Sequence, residues 1–189
     1  MNKKKFVIVT NNSYILDNFI LSTLTKLSLK YKLYVISNID NTNYFSNIDA
    51  SIIRIPIKRN PSLISDIVTL IKLTLILLKL NPYITHSFQP KAGFITSIAS
   101  FIARVPNRYH TFTGQVWRTN TGLKRYILKR MDGVICMLSS KVACDSKSQS
   151  VFLKNQLNLE KEVHVYGLGS FGGVNLKYWS KVNLDSDNV

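Results

Sequence analysis

The sequence predicts an α/β domain, a parallel sheet with helices on both faces, and three observations lead there. Lys5 to Thr10 (KFVIVT) is a continuous apolar run, as in strands covered on both sides. Short β-type runs then alternate with longer helical ones, the spacing of right-handed βαβ crossovers. The polar and glycine-rich stretches fall after the strands, at the carboxyl edge where such sheets bind ligands.

Each element has its own local reason. After KFVIVT, Asn11 to Ser13 offers turn and N-cap residues, and Tyr14 to Leu29 carries Ile15, Phe19, Leu24 and Leu27 at helical spacing. Lys32 to Ser37 and Ser51 to Ile55 read as strands, the latter closed by Pro56. Pro61 opens a long helix to Leu80, and Pro82 to Phe88 is a fourth strand. A helix from Lys91 to Arg104 is small on one side through Ala92, Gly93, Ser97 and Ala99. Asn107 to Phe112 is a strand, Gly122 to Leu138 a helix, Val142 to Ser146 a strand and Gln149 to Leu157 a helix. Glu162 to Tyr166 makes a seventh strand before the loop GLGSFGGV, and the tail from Tyr178 is polar with no second core behind it.

The 189 residues, 46% hydrophobic and 11% aromatic, suit one domain with a real core. Lys and Arg outnumber Asp and Glu by 25 to 10, a net charge of +15 that favours an anionic partner: phosphate, nucleic acid or an acidic membrane face. Between Asp66 and Asp132 there is no carboxylate, so the middle of the chain is its cationic part. Two cysteines are too few for a disulfide framework, and no Cys/His cluster has zinc-ligand spacing. The start, MNKKKFVIV, has too short an apolar run for a signal peptide, so a reducing cytoplasm is expected.

Ile67 to Leu80 (IVTLIKLTLILLKL) spans about 21 Å as a helix, too short for a bilayer core of roughly 30 Å. Asp66, Thr69, Lys72 and Lys79 form one narrow polar stripe, leaving most of its surface apolar. Packing against the sheet is the first expectation. Contact of the surplus apolar face with a membrane interface, lysines on lipid phosphates, is the second.

The chemistry is narrowed first by exclusion. No GxGxxG follows the first strand, and there is no GxxxxGK[ST], no GxSxG and no carboxylate pair at the strand ends. Asp132 and Asp145 read as helix or strand-end residues. The turn at Asn11 to Ser13 either offers N–H groups to a phosphate or is a plain N-cap. His86 and His110 each end a strand, so two imidazoles, neutral or protonated, are expected to face one cleft with Lys91 and Arg118 nearby. His164, inside EVHVY, reads as structural. Phe112 and Trp117 suit either a sugar platform or the core.

Taken together, HSFQPKAG, RVPNRYHTFTGQVW, VACDSKSQSVFL and VHVYGLGSFGGVNLKYW resemble the N-terminal half of bacterial family 4 glycosyltransferases of the GT-B fold, nearest to those of capsule, O-antigen (lipopolysaccharide) and exopolysaccharide assembly. The resemblance implies a Rossmann-like acceptor-side domain over residues 1–177. Residues 178–189 would be a polar tail or the start of a linker, with the C-terminal donor-binding domain expected to be absent. It further implies a retaining sugar transfer from a nucleotide-sugar donor, without metal or other cofactor, to a saccharide or polyprenyl-diphosphate-linked acceptor. Peripheral attachment to the inner face of the cytoplasmic membrane is expected with it.

His110 then corresponds to the family's cleft histidine near the transferred sugar, and Asn12 and Ser13 to the loop near the donor diphosphate. His86, Gln89 and Lys91 belong to the acceptor wall. Thr111, Thr113, Gly114, Gln115, Trp117, Gly169 and Ser170 complete the expected substrate-binding set. A chain of this length would be catalytically incomplete without a separate donor-binding domain or subunit. Two other classes compete, a basic nucleic-acid-binding module and a non-catalytic interaction domain. No RNA-binding pattern or helix-turn-helix signal supports the former, so no nucleic-acid partner is expected.

Overall fold

The computed structural model describes residues 3–11, 15–16, 20–38, 48–57, 62–167 and 169. Expectations at Asn12, Ser13, Pro61 and Ser170 and for the 178–189 tail lie outside the described residues. Within them, β1 (Lys5–Val9), β2 (Lys32–Ser37), β3 (Ala50–Arg54), β4 (Ile84–Phe88), β5 (Asn107–Phe112), β6 (Lys141–Cys144) and β7 (Val163–His164) form one sheet. Every pairing is parallel, in the order β3-β2-β1-β4-β5-β6-β7. The strand order reverses between β1 and β4, which opens a crevice at their carboxyl ends.

Period-two alternation sends successive residues of β1 to opposite cores. Phe6 and Ile8 join Leu16, Ile20 and Leu24 around α1 (Leu21–Lys30). Val7 and Val9 meet Leu73 and Leu77 of α2 (Leu63–Leu80) and Ala92, Ile95 and Ala99 of α3 (Pro90–Ile102). A third cluster joins Phe112, Val142 and Cys144 to Ile135 and Cys136 of α4 (Gly122–Leu138) and Leu153 of α5 (Lys147–Leu157). Each fully buried Leu or Ile contributes about 1.5–3 kcal/mol, so these clusters hold the helices on the sheet. Both cysteines are free and buried.

Caps and prolines set the boundaries. Ser146 accepts a hydrogen bond from the Gln149 backbone N–H, and the Gln149 side chain accepts one from the Asp145 N–H, so α5 starts two residues before the expected Gln149. Pro82 has no N–H for a ladder, and β4 begins at Ile84 instead. The expected strand Glu162 to Tyr166 shrinks to Val163–His164, because this edge strand pairs with only two residues of β6.

The long apolar helix divides the expected polar stripe. Thr69 is buried beside Leu73 and Leu77, and Asp66 turns to Lys91 of α3 at 2.7 Å, while Lys72 and Lys79 are exposed. Only the Asp66 and Thr69 part of the stripe lies towards the protein. Leu63, Ile64, Ile67, Val68, Ile71, Leu75 and Leu78 remain in solvent.

Candidate functional site

The loops that follow β1, β4, β5 and β6 are tied to one another by side-chain amides. Across the crevice between β1 and β4, the Asn11 N–H donates to Gln89 Oε1 at 2.9 Å. Gln89 sits at φ 68°, a left-handed conformation immediately before Pro90 opens α3. Between the β5 and β6 loops, Gln149 Nε2 reaches Gln115 Oε1 at 3.4 Å. Gly169 closes the row: its φ is 107°, and a Cβ there would lie 2.6 Å from the Asp145 carbonyl oxygen, so only glycine lets this loop approach. Thr113 and Gly114 are exposed at the end of β5.

His110 is the most constrained residue of this edge. It is 1% exposed, its Nδ1 lies 2.9 Å from Ser87 Oγ, and its ring meets Phe112 edge-on. The first turn of α3 presses on the same ring, since a Cβ on Gly93 would fall 2.3 Å from His110 Cε1. Burial, with a smaller contribution from His86, lowers its pKa to about 3, so the imidazole is neutral at physiological pH. Nε2 has no hydrogen-bond partner among the described residues. If Ser87 donates to the Tyr109 carbonyl, 3.4 Å away, Nδ1 carries the proton and Nε2 is an acceptor. If Ser87 donates to Nδ1, Nε2–H is a donor. Either way a buried polar atom is left for something else to satisfy.

Two further side-chain atoms of this edge share that condition, Asn11 Oδ1 and Gln115 Nε2. The sequence marks Asn11 only within the Asn11 to Ser13 turn, and Ser87 and Gly93 only as members of HSFQPKAG; it does not announce their contacts with Gln89 and His110. The small-residue side of α3 does contain Gly93, and a helix that small can approach a strand closely enough to trap a ring.

The structure separates several residues that the sequence groups. His86 pairs in register with Tyr109, and His110 with Ser87, so the two imidazoles sit on opposite faces of the sheet rather than in one cleft. His86 packs on Phe88, and its Nε2 lies 2.8 Å from Thr111 Oγ1, which commits the Thr111 hydroxyl to the same face. Burial lowers its pKa to about 4, so it too is neutral. Lys91 is held by Asp66 and brings little free charge to an acceptor wall.

Trp117 is core, not platform. It lies in a 3₁₀ turn, Val116–Thr119, is 1% exposed, stacks on Phe152 and donates from Nε1 to Asp132 Oδ2 at 2.7 Å. Asp132 is a helix residue as expected, buried inside α4, and burial pushes its carboxyl up to about 7 against the Trp117 hydrogen bond. Arg125 and Lys129 lie over the indole ring and Arg118 over Phe152, so part of the cationic stretch braces this loop. His164 stacks on Tyr166 beside Glu162, half-exposed.

No protein-family model matches the chain. Over 136 residues, 71% of its length, it is 32% identical to the capsular polysaccharide biosynthesis glycosyltransferase CapM of Staphylococcus aureus. The chain spans 35% of that protein. Among solved structures, the UDP-N-acetylglucosamine 2-epimerase of Rickettsia bellii superposes with a TM-score of 0.69 at 14% identity, over 99% of this chain and 50% of that one. The Anabaena Alr3699/HepE structure in complex with UDP and glucose gives 0.68 at 10% identity, over 96% and 50%. The fold is therefore the Rossmann-like α/β half of a GT-B-like architecture, in a chain homologous to a capsule glycosyltransferase.

Proposed function

We propose that this chain is the acceptor-side domain of a retaining glycosyltransferase of surface polysaccharide synthesis. In this reading residues 1–177 form the domain, and a donor-binding half completes the enzyme. The observation that carries it is His110: a buried, neutral imidazole, positioned by Ser87, Gly93 and Phe112, with an unsatisfied Nε2 at the carboxyl edge. A neutral imidazole does not compensate the charge of a leaving diphosphate. It can give or take one hydrogen bond to a sugar hydroxyl, and in a dry site a preorganised bond of this kind is worth several kcal/mol to a transition state. The homology to CapM and the UDP named for the Alr3699/HepE structure support a nucleotide-sugar donor.

The other residues take supporting roles. Asn11 and Gln89 span the crevice, and Gln115 with Gly114 and Thr113 forms the wall after β5. Asn12 and Ser13 are assigned to the donor side on the resemblance alone, and Ser170 stays in the substrate-binding set without a side. Transfer proceeds without a metal ion in this proposal, so chelators leave the rate unchanged.

The acceptor is a saccharide on a polyprenyl diphosphate, and the domain meets an anionic membrane at the cytoplasmic face. The contact we favour is the outer side of α4 and the turn before it, where Val116, Leu123, Tyr126 and Ile127 are exposed among Arg118, Lys124 and Arg130. No helix among the described residues is long and apolar enough to cross a membrane. Flotation with anionic vesicles at low salt tests this contact, and loss of flotation in Lys124→Glu/Arg130→Glu is the expected result.

The catalytic reading is tested by joining the chain to a donor-binding half. The chain alone transfers no sugar, the joined enzyme does, and His110→Ala lowers turnover by about 10²–10³ with the fold intact. A near-wild-type rate in that variant refutes the assignment.

A further inference from the structure

We propose that the outward face of α2 is a contact between two copies of this chain, independent of the catalytic reading above. Leu63, Ile64, Ile67, Val68, Ile71, Leu75 and Leu78 are all 45–84% exposed, and between residues 67 and 78 the helix carries one charge, Lys72. The helix is thus apolar on two sides: Leu73 and Leu77 are buried in the core beside Thr69, and a second aliphatic face is left in solvent.

The spacing of this face identifies the shape of its partner. Ile64, Val68, Ile71, Leu75 and Leu78 follow one another at intervals of four, three, four and three, the 3.5-residue seam that inserts knobs into the holes of a facing helix. Two further observations select a second copy. Seven large aliphatic side chains, 45–84% exposed, make a continuous patch comparable to the ~800 Å² per partner of a standard interface. The chain's charge of +15 also directs self-association to its cation-poor surface, and α3 separates α2 from the basic α4. An anionic bilayer is the poorer match, because such contacts draw on several Lys and Arg near the surface. A seam of this kind closes as an isologous twofold pair.

Sedimentation equilibrium of the 189-residue chain is expected to give twice the chain mass at micromolar concentration. Ile71→Glu and Leu75→Glu each weaken association at least 100-fold while circular dichroism is unchanged, since both side chains are exposed. Met137→Glu, 70% exposed on α4, leaves the dimer intact. Mild oxidation of Ile71→Cys traps a covalent pair against a silent background, because Cys136 and Cys144 are buried. A monomer at all concentrations overturns the proposal, as does a dimer indifferent to both α2 substitutions. Flotation with neutral vesicles that Ile71→Glu abolishes, without dimerisation, assigns the face to lipid and overturns it equally.

Discussion

β4 carries a histidine at its middle and β5 one two residues before its end, yet the two faces of the sheet use them differently. His86 has its Nε2 matched by Thr111 and a ring bedded on Phe88, with Phe6 and Tyr109 close by. Among the described residues His110 is matched at Nδ1 only, and a helix turn without side-chain bulk lies against it. One residue of register decides which imidazole belongs to the core and which keeps an atom for a ligand. The comparison teaches that a histidine at the right edge is not enough: the pleat assigns its face, and the helix above decides its freedom.

The sharpest way to break this contrast is Gly93→Ala. The new Cβ must displace the His110 ring, an overpacking cost of about 1–3 kcal/mol. In a chain of this size that lowers Tm by roughly 2–12 °C, measurable by calorimetry. Ser87→Ala is expected to cost less, about 1–2 kcal/mol, through the unpaired Nδ1.

Acid titration comes next. Both imidazoles are neutral when folded, with pKa values of about 4 and about 3, and both bind protons near pH 6.5 when unfolded. Their contribution is complete above pH 6.5 and is lost as pH falls towards 3, because the unfolded chain gains protons first. At pH 5 His110→Gln is expected to reduce proton uptake on unfolding by about one, read from the slope of stability against pH. An unchanged slope would mean that His110 is protonated in the fold.

Asp132 gives the opposite sign. Its folded pKa is raised to about 7, so its contribution is full below pH 4 and is lost as pH rises through 7. Asp132→Asn keeps an acceptor for Trp117 and removes the buried charge, so its Tm advantage over wild type should grow between pH 4 and 8 and then level off. The smallest effect is the control for Gly93. Gly133, also helical, has nothing within 4 Å of its Cβ direction, and Gly133→Ala is expected to raise stability by about 0.5–1 kcal/mol.

Much of the architecture is legible in single residues. KLYVIS and NRYHTF are β2 and β5 to the residue, and Gly122 to Leu138 is α4 end to end, because apolar runs and turn residues act over a few positions. The candidate site was legible as an edge, not as a set of contacts. Lys91 looked free because Asp66 is 25 residues away, and only the packing of α2 against α3 brings the two together. Trp117 stayed open between platform and core because nothing near it in sequence announces Asp132 as its partner.

By itself, then, the sequence determined the element order, the parallel sheet and the concentration of polar loops at its carboxyl ends, all of which rest on local pattern. The tertiary structure alone decided that His110 and His86 face apart, that Trp117 is core and that α2 buries one aliphatic side and shows a second to solvent. Those outcomes depend on register and on which helix covers which strand, and both are set by contacts between residues far apart in the chain.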